Sequence, residues 1–282
     1  MNTAPIAVTG ATGVLGGFVA QQLANRHLPQ RLLVRTPAKA PILPGATVYP
    51  FSYADQHASR NALEGVDTLF MVSASESAER VNQHRAFIDA AAAAGVRHVI
   101  YTSFIGAAPD ATFTLARDHY ATEEHIKSSG MTWTFLRNSF YIDFMEALIG
   151  DDGIIRGPAG DGRCALVARY DVARAAAAIL ASPTEHAYRT YEITGREALT
   201  LAEVAHVISE ARGRKVTFYD ETIEEAYASR AGYGAPSWQV DAWVSTYTAI
   251  ASGVMAPVSD AIKTITGTPP RTLAEHLAEK YS

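Results

Sequence analysis

The 282-residue chain is 48% hydrophobic and 19% charged, ordinary proportions for a globular protein long enough for one large domain or a large domain with a smaller companion. Its 24 basic and 29 acidic residues leave a net charge of −5 without any dense basic run, which argues against nucleic acid as a partner. One cysteine, Cys164, excludes an internal disulfide framework and a cysteine-rich metal site, and no metal is expected.

A lone thiol suits a reducing compartment. The N-terminal stretch MNTAPIAVTGATG runs straight into strand-like residues without a basic segment and a long apolar run, so it does not read as a signal peptide. Alanine-rich runs are broken by charges too early to cross a bilayer. The expectation is a cytoplasmic protein with no membrane insertion, and nothing in the sequence opposes a homo-oligomer.

In chain order, short apolar runs at 6–9 (IAVT), 31–34 (RLLV), 47–51 (TVYPF), 68–73 (TLFMVS), 98–103 (HVIYTS) and 132–137 (TWTFLR) read as strands. Between them, 13–26, 56–65, 79–95 and 113–130 read as helices. This alternation predicts βαβ units and a parallel sheet covered on both faces. The alanine run 90–94, ended by Gly95, reads as a helix packed closely on that sheet.

After Arg137 the rhythm changes. The glycine-rich segment 150–163 predicts two turns around a short hairpin, and 164–183 one more strand and helix. Three capping-box signals follow, Thr200 with Glu203, Thr222 with Glu225 and Thr272 with Glu275, and strand-like YEITG (191–195) and KVTFY (215–219) lie among them. This half reads as a smaller, mainly helical domain.

Between the first strand and first helix stand Gly10, Gly13 and Gly16, a G-x-x-G-x-x-G spacing. The first glycine allows a sharp turn, the second a close approach of backbone amides to a pyrophosphate, and the third close helix–strand packing. The helix N-terminus offers unpaired N–H groups and partial positive charge to phosphates. The second strand ends at Arg35, followed by Thr36 and Lys39, with no acid anywhere between Met1 and Asp55. An acid there would take ribose hydroxyls and repel a 2′-phosphate, whereas a guanidinium forks onto it. NADP (as NADPH) is the expected cofactor, with a plain solvated arginine the alternative.

The stretches VTGATGVLG, RTPAKA, VRHVIYTS and HYATEEHIKSSGMTWTFLRNSFYIDF, in that order, resemble the NmrA-like branch of the short-chain dehydrogenase/reductase superfamily, and within it bacterial NADPH:quinone oxidoreductases and triphenylmethane reductases. The closing TPPRTLAEHLAEKY is similar to the family's last helix. The resemblance implies an α/β, Rossmann-like, doubly wound parallel sheet with a smaller, mainly helical C-terminal domain. The expected division is 1–136 with 164–183 for the cofactor domain, and 137–163 with 184–282 for the substrate domain, with a cleft between them. Carried over by position, Thr9, Gly10, Thr12, Gly13, Val14 and Leu15 form the phosphate loop, and Arg35 meets the 2′-phosphate. Ser73, Ala74 and Ser103 lie beside the cofactor, and Asn138, Phe140 and Tyr141 near its nicotinamide end. Where the family usually carries an aspartate near the adenine, this chain has Ser52.

Typical superfamily members use a tyrosine acid with a lysine one helical turn on. Here Tyr120 is followed at that distance by Glu124, and Lys127 lies about 10 Å along the helix axis, too far to hold the same ribose. The family register instead puts His119 at the tyrosine position and Glu123 at the lysine position, four residues apart on one helix face. His119 is expected to contact the nicotinamide ribose, steer the substrate or relay a proton, with Glu123 and Tyr141 beside it as the catalytic set; a surface His119–Glu123 pair is the plain alternative. A quinone tolerates a missing acid, because the hydroquinone anion is far less basic than an alkoxide. The enzyme then needs chiefly to orient an aromatic acceptor, for which Phe104, Ile105, Phe113 and Phe144, with Phe140 and Tyr141, are the candidate lining. The leading expectation is NADPH-dependent reduction of a quinone or similar small aromatic acceptor. Triphenylmethane or azo-dye reduction and a non-catalytic NADP sensor are the alternatives.

Overall fold

The computed structural model describes residues 6–281, so Met1–Pro5 of the N-terminal stretch lie outside the described residues. Strand β1 (Ile6–Thr9) leads through the glycine loop into α1 (Val14–Asn25), then β2 (Gln30–Val34), β3 (Ala46–Pro50), α2 (Gln56–Leu63), β4 (Thr68–Met71) and α3 (Arg80–Ala93). The alternation continues with β5 (His98–Phe104), α4 (Thr114–Ser128) and β6 (Thr132–Asn138). Every residue of β1 and of β4 is buried. This is why these runs lack an in–out alternation: both faces of the sheet are covered.

The remaining elements are β7 (Ile154–Gly157), β8 (Arg163–Cys164), α5 (Arg169–Ala181), β9 (Arg189–Ile193), β10 (Leu199–Thr200), α6 (Leu201–Arg212), β11 (Thr217–Asp220), α7 (Ile223–Arg230), α8 (Ser237–Ala251), α9 (Ala261–Thr266) and α10 (Leu273–Tyr281). The main sheet has seven strands in the order β3-β2-β1-β4-β5-β6-β9. β1 pairs in parallel with β2 and β4, β2 with β3, and β4 with β5. The chain works outward from β1 to β3 and then crosses back to β4, so the order reverses between β1 and β4, where α/β folds place their ligands.

Two compact units emerge. The first holds the chain up to Phe104, Asp118–Arg137 and Arg169–Tyr191; the second holds Ile105–Arg117, Asn138–Ala168 and the chain from Glu192 on. The division expected from sequence differs at 105–117, at Arg137, at 164–168 (which group with the second unit) and at 184–191. Residues 105–117 group with the second unit, and 184–191 with the first, because β9 joins the main sheet beside β6. In the first unit α5 packs on α1, with Tyr170 edge-on to Phe18 at 5.8 Å. In the second unit all three capping boxes form, the Glu203, Glu225 and Glu275 amides each reaching a threonine hydroxyl at 3.1 Å.

Both turns expected in 150–163 form, the first closed by the Gly153 N–H to the Gly150 carbonyl at 2.8 Å, but the strands they flank do not pair with each other as a hairpin. β7 pairs in parallel with β11, and β8 antiparallel with β10. Pro158 and a tight turn closed by the Gly162 N–H to the Ala159 carbonyl (3.0 Å) divert the chain between the two strands, so each finds a partner far along the sequence. The 90–94 alanines are only partly packed: Ala90 and Ala91 are buried, while Ala93 is exposed.

Helix α1 approaches the end of β1 closely enough to exclude a side chain at Gly16. Gly10 has a left-handed backbone (φ +66°), and a Cβ placed on Gly16 would stand 2.3 Å from the Gly10 carbonyl oxygen. Gly16→Ala therefore forces the helix off the strand. We expect a loss of about 1–3 kcal/mol in stability, read by denaturant unfolding.

Candidate active site

In the first unit a groove of about 560 Å³ opens over the glycine loop, lined at its floor by Gly10, Thr12, Gly13, Val14 and Leu15. The loop is drawn tight by the Gly13 N–H donating to the Gly10 carbonyl at 2.8 Å. Gly13 caps α1 with an extended backbone and no side-chain cap, which leaves the helix N-terminus open toward the groove. Thr9, expected in the phosphate loop, is fully buried instead. Its hydroxyl accepts the Val72 N–H at 2.8 Å and meets the Tyr53 hydroxyl at 2.9 Å, so it ties β1 to the end of β4.

Arg35 stands exposed at the groove's rim, with no hydrogen-bond or carboxylate partner among the described residues. A free guanidinium in a groove that already holds a phosphate-type loop fits a dinucleotide bearing a 2′-phosphate. Ser52 lies on the same groove, and its hydroxyl accepts the Ala54 N–H at 3.3 Å, stabilising its own turn.

Ser73 and Ala74 line the opposite wall, and both of their amides are already used. The Ser73 N–H donates to the Thr102 hydroxyl at 2.8 Å, and the Ala74 N–H donates to Nε2 of His84 at 2.9 Å. His84 is fully buried on α3, and its Nδ1 meets the Thr122 hydroxyl at 2.9 Å, which itself donates to the Asp118 carbonyl. With Nε2 accepting, the ring is neutral with its proton on Nδ1. Burial, with the nearby Arg80 cation, pushes its pKa down to about 3. Neither Arg80 nor His84 carried any sequence signal, since nothing in the order of residues says that α3 will face α4.

His119 and Glu123 are buried, which overturns the surface pair, and they do not bond each other. His119 sits between Arg80, 3.1 Å from Nε2, and the Tyr101 hydroxyl, 2.8 Å from Nδ1, with Phe104 stacked at 6.2 Å. A guanidinium only donates, so Nε2 must accept and the ring is neutral. Burial first, then the charges of Arg80 and His84, holds its pKa well below the usual histidine value. Both ring nitrogens are thus consumed within the protein, and the expected proton relay gives way to a positioning role. Glu123 is gripped by Arg137 through two bonds, 2.9 and 2.7 Å, and accepts the Ser103 hydroxyl at 2.5 Å. The three positions at which a dehydrogenase would carry its acid machinery are closed on themselves. Tyr120's neighbours agree: Glu124 pairs with Lys127 at 2.7 Å, on the exposed side of the helix.

In the second unit the Asn138 amide donates to the Tyr141 hydroxyl at 3.1 Å, while its own Oδ1 is buried without a partner. Phe140 and Phe144, edge-on at 5.8 Å, open a cavity of about 570 Å³. Ile105 is 5% exposed and belongs to the core, not to that lining. Phe113, half-buried, is not among the cavity's lining residues either. The cavity's other aromatic walls, Tyr233, Trp243 and Tyr247, were not foreseen, because they come from segments far along the chain from Phe140 and Phe144. Among the described residues no cluster of His, Cys, Asp and Glu could hold a metal ion, and no helix is long and apolar enough to cross a membrane.

The sequence model of the NmrA-like family matches residues 2–235. The chain belongs to the NmrA-like family. Among the NmrA-like relatives, an NADPH-dependent quinone oxidoreductase from Escherichia coli, solved with NADPH, superposes with a TM-score of 0.88 at 34% identity, covering 98% of this chain and 100% of that one. An NAD(P)H azoreductase from Xenophilus azovorans is 34% identical over 96% of both chains. A triphenylmethane reductase from Citrobacter sp., solved with NADP(H), superposes with a TM-score of 0.85 at 31% identity, covering 97% of this chain and 99% of that one.

The buried neutral His84 makes stability depend on pH. Its folded pKa of about 3 lies below the unfolded value of about 6.5, so the unfolded chain takes up its proton first as pH falls. The contribution is complete above about pH 6.5 and is lost progressively toward pH 3, by about 2 kcal/mol between pH 7.5 and 5. Urea unfolding at those two pH values should show a loss of stability in His84→Gln smaller than that of the wild type by this amount.

Proposed function

We propose that the chain reduces quinones or similar conjugated aromatic acceptors with NADPH, by holding cofactor and acceptor in register and without a tyrosine–lysine acid pair. The observation that carries this reading is the closure of Ser103, His119 and Glu123 into buried bonds with Glu123, Arg80, Tyr101 and Arg137. The protons of Ser103 and His119 are already engaged in buried bonds within the protein, so acceptors whose reduced anion needs a strong acid are disfavoured. Quinones and dyes with a delocalised acceptor carbon are the class that remains. The same acceptor classes appear in the names of the relatives above.

When bound, NADPH supplies a hydride. The chain's own residues do the rest. The glycine loop and the open N-terminus of α1 receive the pyrophosphate, and Arg35 takes the 2′-phosphate. Ser73 and Ala74, their amides anchored by Thr102 and His84, form a fixed wall beside the cofactor. Within the second unit Asn138 and Tyr141 are bonded to each other, and Phe140 lines the aromatic cavity proposed to take the acceptor. The two-electron reduction leaves a hydroquinone anion that solvent protonates. Catalysis on this reading is orientation and exclusion of competing geometries.

Following NADPH absorbance with purified protein and a panel of quinones, azo dyes and simple ketones is the test. Turnover of quinones or dyes with none of simple ketones is expected; tight NADPH binding without turnover of any acceptor would show a non-catalytic NADP-binding protein instead. Arg35→Ala should raise the KM for NADPH about ten- to a hundredfold, the worth of a charge-assisted forked contact, and leave the KM for NADH nearly unchanged.

A further inference from the structure

The cavity of the second unit is built in a way the proposed reaction does not by itself require. Tyr233 and Trp243 meet edge-on at 5.9 Å, Phe140 and Phe144 at 5.8 Å, and Tyr247 lies with the Arg230 guanidinium 5.2 Å from its ring centre. Its only charged lining residues are Arg156 and Arg230, and no carboxylate reaches the lining. Both cations are paired. Arg230 donates to Glu221 at 2.8 Å and to the Arg156 carbonyl at 3.0 Å, and Arg156 holds Asp152 through two bonds, 3.0 and 2.5 Å. In each pair the guanidinium belongs to the lining and its carboxylate partner does not. At about 570 Å³ the space is that of a drug-sized ligand, larger than one six-membered ring needs.

We infer that this cavity selects planar, multi-ring acceptors carrying no positive charge, with Trp243 and Tyr233 setting the ring fit and Arg156 and Arg230 setting the charge. The inference rests on the reductase reading above and narrows its acceptor. A flat aromatic ring stacks on or meets the edges of the surrounding rings and gains from each such contact. A cationic dye would enter a partly desolvated space and face two like charges with no carboxylate to meet it. A neutral quinone becomes negative as it accepts hydride, and guanidinium groups fixed in the lining favour the reduced form. The cavity thus separates two acceptor groups that the family's members share out: neutral or anionic quinones and dyes on one side, cationic triphenylmethane dyes on the other.

Calorimetric titration of the NADP⁺-bound protein with menadione, anthraquinone sulfonate and crystal violet measures this without any turnover. Menadione and the sulfonate should bind at least about tenfold more tightly than crystal violet. Trp243→Leu should weaken both quinones by about tenfold while the Kd for NADPH stays unchanged. Arg156→Gln, on a side chain 37% exposed, should narrow the ratio between sulfonate and crystal violet severalfold. Arg230 is left intact, because removing it strands the buried Glu221. Equal binding of crystal violet, or no effect of Trp243→Leu, overturns the inference. Charge-selective binding with no NADPH oxidation on any acceptor upholds it and sinks the reductase reading alone.

Discussion

The rest of the first unit hangs on how closely α1 can approach β1. A Cβ on Gly16 would stand 2.3 Å from the Gly10 carbonyl oxygen and 2.7 Å from that of Thr9, so helix and strand touch backbone to backbone and no side chain intervenes. That approach aims the open N-terminus of α1 along the end of β1, at the point where the strand order reverses. The groove, its phosphate floor and the reach of Arg35 to its rim all follow from this one contact.

A second constraint runs beneath the groove's far wall. Burying Arg80, His84, His119 and Glu123 together in one region demands that each be hydrogen-bonded, and the structure meets that demand almost wholly with its own side chains. Two neutral histidines accept from an arginine and from a backbone amide, and a carboxylate is held by an arginine and a serine. The outcome is rigidity at the wall and the absence of a dischargeable proton at the positions where a related enzyme would keep one. Chemistry by orientation is the consistent consequence. The aromatic cavity of the second unit is built from α7, α8, β7 and the segment after β6, with Arg156 and Arg230, each paired with a carboxylate, as its charged lining residues.

By itself the sequence determined the α/β alternation, the glycine loop, the absence of an acid before Asp55 and the three capping boxes, because each is local: a short apolar run or a helical pattern, a turn requirement, or a cap three residues from its partner. It also carried the family, since the glycine loop, RTPAKA and HYATEEH are contiguous stretches in a set order. Only the tertiary structure decided what His119 and Glu123 do. Their partners Arg80, Tyr101, Ser103 and Arg137 come from three other elements, and four-residue spacing on one helix is no guide to which neighbours the helix meets. The same reason defeated the expected hairpin at 150–163, whose strands pair with partners near 200 and 217. It also hid Tyr233, Trp243, Tyr247 and Arg230, which line one cavity only when α7 and α8 are folded around the segment after β6. Long-range pairing is set by burial and polar satisfaction summed over the whole chain, and a reading that moves along the chain sees only its local part.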